Sequence, residues 1–92
     1  MSDYKEFKIT TSRLALLFRL FPSDGTDLTR TQHKNQYSFY YVQGSYDLLL
    51  EANININSND VTLKIYTKLI DALPEEIKLE IRKCLSDIGI KE

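Results

Sequence analysis

Five of the ten aromatic side chains in this 92-residue sequence lie between Tyr37 and Tyr46. In an extended segment Tyr37, Phe39 and Tyr41 take one face, while Tyr40 shares the other with Ser38 and Val42. Rings in that arrangement can serve two kinds of recognition. They supply large contact area with few rotors to freeze, as protein interfaces do, and they supply flat surfaces on which unpaired nucleobases stack. The plainer use is as the rim of a core, with the hydroxyls in water. Just before them Arg30, His33 and Lys34 form a small basic cluster among Gln32, Asn35 and Gln36, suited to an acidic partner or a phosphate. The candidate partner-binding residues are therefore Arg30, His33, Lys34, Tyr37, Phe39, Tyr40, Tyr41 and Tyr46, with Leu49 and Tyr66 as expected neighbours of Tyr40 if an apolar patch lies open on that face.

Other reactive residue types are too sparse to build a site. His33 is the sole histidine and Cys84 the sole cysteine, so neither an internal disulfide nor a thiolate zinc site can form. Cys84 falls on the apolar stripe of a helix and reads as a small hydrophobe. Asp24-Gly25-Thr26-Asp27 lacks the further oxygen ligands and the closing glutamate of a calcium loop, and is better read as a turn. There is no glycine-rich phosphate loop, no paired-carboxylate motif and no nucleophile elbow. A non-catalytic protein with no metal and no cofactor is expected.

The elements that must hold these residues are set by hydrophobic pattern. From Tyr46 to Asn57 apolar Tyr46, Leu48, Leu50, Ala52, Ile54 and Ile56 alternate with polar residues, and Leu49 alone breaks the order. This predicts a long strand with one face on a core. Gly44-Ser45 offers a hairpin turn back to a strand over Tyr37–Val42. Asn57-Ser58-Asn59-Asp60 offers a second turn, into a strand running from Val61 to about Thr67. Pro74 through Ile88 reads as a helix, with Leu73, Ile77, Ile81, Cys84, Leu85 and Ile88 in one stripe, acidic Glu75 and Glu76 at its start and Gly89 at its end. The segment Leu14–Phe21 fits either a period-two strand or a helix with Leu14, Leu17, Phe18 and Phe21 in line, and is read here as a strand. Residues 1–11 are expected to fray at their start, although Phe7 and Ile9 are spaced for a strand. Residues 22–36, with Leu28 as their one apolar anchor after Pro22, are read as a long polar loop.

Together these imply a single α+β domain over residues 1–92: a three- to four-stranded antiparallel meander covered by the C-terminal helix 74–88. A hydrophobic content of 42% against 27% charged is that of a globular chain. The formal charge of −1 supplies no field toward nucleic acid or an anionic membrane. No stretch reaches the ~18 apolar residues of a membrane span, and the cytoplasm is the expected compartment. The layout of a meander followed by one helix resembles that of the small single-strand DNA-binding cofactors. No motif is shared, however, and their basic strand face is missing. The expected function is a small interaction or regulatory module, self-associating or binding a protein partner through the aromatic strand. The alternative is single-stranded nucleic-acid binding through the same rings and the basic loop.

Overall fold

The computed structural model describes residues 4–90. Strand β1 (Lys5–Thr10) leads directly into helix α1 (Thr11–Leu20), followed by strands β2 (Leu28–His33), β3 (Gln36–Val42), β4 (Tyr46–Asn55) and β5 (Asp60–Ile65). A short helix α2 (Thr67–Asp71) and the long helix α3 (Glu75–Ile88) complete the chain. The strands form one antiparallel sheet in the order β1-β5-β4-β3-β2. The class is α+β with a C-terminal helix over the sheet, but with five strands where three or four were expected.

The added strands are β1, where Phe7 and Ile9 had the spacing of one, and β2, and two segments depart from the sequence reading. The segment 14–21 is helical, and its N-terminus is capped by Thr10, whose Oγ1 accepts the Arg13 N–H at 3.4 Å. Leu14, Leu17 and Phe21 are fully or almost fully buried, while Leu16, Phe18 and Leu20 pack more loosely against the same core. Helix α1 lies against both α3 and the sheet, so it is apolar on more than one side. That is why its sequence also satisfies a period of two. The second difference is β2, in the stretch read as a polar loop. It pairs with β3 along its full length, from Leu28↔Tyr41 to His33↔Gln36. An edge strand meets one neighbour only, so β-branched Thr29 and Thr31 suffice to hold it while Gln32 and His33 stay in water. Its return turn, Lys34-Asn35, carries no glycine; Lys34 itself adopts φ 55°. At the next hairpin Val42 pairs with Tyr46, leaving the three-residue loop Gln43-Gly44-Ser45 with Gly44 at φ 78°.

The core lies between the sheet and the helices. Phe39, Leu50, Ala52, Val61, Leu63 and Ile65 from the sheet meet Leu17, Ile70, Ile81, Leu85 and Ile88, all at most 1% exposed. Each of these side chains other than Ala52 contributes about 1.5–3 kcal/mol on burial. Helix α3 ends at Gly89, whose φ of 99° suits the left-handed cap, with Gly89 N–H on Ser86 O and Ile90 N–H on Leu85 O at 2.9 Å each. A side chain at Gly89 would also meet the Arg13 guanidinium, 2.6 Å away, which donates to the Ile88 carbonyl. This closes the α3 terminus with a positive charge at the negative end of its dipole.

Candidate functional site

Both long helices use the same face of the sheet, so among the described residues no helix covers the other face. The register lays its side chains out in rows. One row, Glu6–Lys64–Glu51–Ser38–Thr31, crosses all five strands, and the next is Lys8–Thr62–Asn53–Gln36–His33. These rows are polar. At the other end of the face the chemistry changes because of Leu49.

Phe39 pairs with Leu50, but Tyr40 pairs with Leu48, so Leu49 is an extra residue in β4. A bulge of this kind shifts the parity of the strand. Leu49 and Leu50 are both fully buried. Leu50, Ala52 and Ile54 stay on the helix side, whereas Leu48 and Tyr46 turn to the open side with Tyr40 and Val42. The sequence pattern placed Tyr46 and Leu48 on the core face; the bulge overturns that, and Tyr46 is 68% exposed. Ile56, read as the last core position of the strand, is 74% exposed in the β4–β5 turn. The rings of Tyr40 and Tyr46 meet edge to face with centroids 5.7 Å apart.

A second pair of tyrosines lies on this face beside the charged row. Tyr4 and Tyr66 are 5.6 Å apart edge to face, and the Lys64 ammonium stands 5.0 Å over the Tyr4 ring. Glu51 organises the centre: one carboxylate oxygen accepts the Tyr66 hydroxyl and the other accepts Gln36 Nε2 at 2.7 Å. The negative acceptor holds the phenol in its protonated form, and with burial it pushes the Tyr66 pKa up to about 12.

The expected site residues separate cleanly. Phe39 is fully buried, 5.2 Å from Phe21, and Tyr41 is 7% exposed with its hydroxyl donating to Gln43 Oε1 at 2.9 Å. Neither offers a surface to a partner. Tyr37 is half-buried on the helix side against Phe18, 4.8 Å away. Arg30 is tied to the C-terminal end of α1, donating to Phe18 O at 3.1 Å and Phe21 O at 2.7 Å with its guanidinium 4.3 Å over the Phe18 ring. His33 and Lys34 are exposed at the β2–β3 hairpin. Only Tyr40 and Tyr46 come together on open surface. Of the neighbours expected beside Tyr40, Tyr66 lies on the open face, but Leu49 is fully buried at the bulge. The expected set left out Leu48, Val42, Tyr4 and Glu51; the break at Leu49 was the one trace in the sequence that pointed to the first two.

Among the described residues, no three of His, Cys, Asp and Glu come together as metal ligands. The Cys84 thiol donates to Leu16 O at 3.6 Å, and burial raises its pKa. No helix is long and apolar enough to cross a membrane. No protein-family model matches the chain, and no curated protein or solved structure is detectably similar to it.

Proposed function

We propose that the chain is a small non-catalytic interaction module that binds a protein partner through the open face of its sheet, at Tyr40, Tyr46, Leu48 and Val42. The observation that carries this reading is the bulge at Leu49. It moves two apolar side chains out of the core and sets them beside Tyr40, at the end of the face away from its polar rows. Clustered rings and aliphatics on an uncovered face are the usual mark of an association site. The groups with reactive potential are otherwise engaged: Glu51 by Tyr66 and Gln36, and Cys84 by the Leu16 carbonyl. A free, half-buried thiol fits the reducing cytoplasm proposed as the compartment.

Base stacking by the same tyrosines is the second reading, favoured by four open-face rings at Tyr4, Tyr40, Tyr46 and Tyr66. The charges weigh against it. Lys8 and Lys64 share the face with Glu6, Glu51 and Asp60, and Arg30 is committed to α1. A phosphate backbone needs a basic track.

Immobilised protein tests the proposal. Wild type is expected to capture a specific protein from native-host lysate and to keep it as salt is raised. Tyr46→Glu should lose that protein, and Leu79→Glu, on the exposed side of α3, should retain it. Capture unaffected by Tyr46→Glu would refute the assignment. Single-stranded oligonucleotide binding with a steep salt dependence would favour the second reading.

A further inference from the structure

The two edges of the sheet are finished differently. Beside β2 the turn after α1 folds back along the strand: the Pro22 carbonyl accepts the Arg30 N–H at 3.3 Å and the Thr29 hydroxyl at 3.1 Å. Gly25 sits so close that a Cβ there would come 1.9 Å from Leu28 O. Along Leu28–Arg30 that edge is closed to another strand. At the opposite edge β1 pairs with β5 on one side, and among the described residues the structure records no bond to its backbone from a backbone group outside that ladder. An open row of N–H and C=O groups is a template for one more strand.

Lysine on an edge ordinarily repels foreign strands. The charges of β1, however, are of both signs and self-complementary in order. Lay a second β1 antiparallel with Phe7 opposite Phe7, and Glu6 of each copy stands across from Lys8 of the other. Lys5 then lies across from Ile9, where its aliphatic stem covers apolar surface. Glu6 and Lys8 are exposed on the open face, while Phe7 is half-buried on the helix side, level with the buried Leu63. Moving the register by two residues sets Glu6 against Glu6 or Lys8 against Lys8. Moving it by one turns the core face of the second copy to the open side. The Phe7-centred register alone satisfies both charge and face.

We propose that β1 pairs with β1 of a second copy about a two-fold axis at Phe7, joining two sheets into one of ten strands. The interface is isologous, the commonest kind in closed dimers. It uses a different surface from Tyr40 and Tyr46, and it leaves both aromatic patches on one continuous face, available to a repeated or bivalent partner.

Solution mass of the full chain by light scattering or sedimentation tests this with charge reversal. Wild type should show the dimer mass. Glu6→Lys and Lys8→Glu each replace two attractive cross-strand pairs with two repulsive ones and should weaken the dimer roughly tenfold or more. Both sites are exposed, so circular dichroism should show each variant folded. Mixed together, the two variants restore opposite charges at both positions and should recover the dimer as a heterodimer. A wild type that stays monomeric at its highest soluble concentration would overturn the proposal. So would single variants that dimerise like wild type, or a mixture of folded variants that fails to recover the dimer.

Discussion

Arg30 and Tyr66 illustrate how neighbours decide what a side chain is for. In the sequence Arg30 belongs with His33 and Lys34 as a basic cluster. In the fold its guanidinium satisfies two carbonyl oxygens at the end of α1 and covers the Phe18 ring. A cation at a helix C-terminus is favourable there, but it is withdrawn from any partner. Tyr66 shows the opposite lesson, since nothing in its local sequence marks it. Its hydroxyl reaches Glu51, fifteen residues away and on the neighbouring strand. Its folded pKa of about 12 lies above the unfolded value near 10. Folding therefore favours the protonated phenol, and this contribution is fully present below about pH 10 and lost as pH rises toward 12. Titration of tyrosinate absorbance should show one of the six tyrosines ionising about two pH units late. Tyr66→Phe should remove that late step and flatten the corresponding fall in melting temperature between pH 9 and 12.

Elements with one buried face were legible, and those with none or two were not. Helix α3 and strands β3 to β5 carry clean periodicity because one side meets the core and the other water. Helix α1 packs against both α3 and the sheet, so its apolar residues span more than one side while Arg13 and Arg19 stay exposed, and the period blurs. Strand β2 has little apolar content because it is an edge, and no tertiary partner can be read from Leu28-Thr-Arg-Thr-Gln-His. The bulge in β4 was present in the sequence as the single irregular position, Leu49. Its consequence, the transfer of Tyr46 and Leu48 to the other face, depends on the register against Tyr40 and so on the folded sheet. The cover formed by α3 yields a direct test. Ile81 is fully buried, and Lys83 faces water. An unpaired carboxylate at position 81 should cost several kcal/mol, a large share of the roughly 5–15 kcal/mol of a small domain. Ile81→Asp should be largely unfolded in circular dichroism melts, and Lys83→Asp should melt close to wild type.

At the scale of the whole molecule, the fold has a dressed side and a bare one. Two helices share one face of five strands, and the bare face is graded from charged and polar rows near Glu51 and Gln36 to rings and aliphatics near Tyr40 and Tyr46. The Pro22–Gly25 turn covers the β2 edge along Leu28–Arg30, whereas among the described residues no backbone bond caps the β1 edge, the side on which the proposed pairing extends the sheet. None of this polarity is visible in composition, which is nearly neutral overall. The central claim is that the bare face is where this protein meets its partner. Hydroxyl-radical footprinting tests it most directly, comparing the purified chain with the same chain in native-host extract. Tyr46, Ile56 and Leu79 are all well exposed, at 68%, 74% and 57%, and so report on three separate regions. The account predicts that extract protects Tyr46 and Tyr40 while Ile56 and Leu79 are oxidised as before. Protection of Leu79 with Tyr46 and Tyr40 unchanged would contradict it.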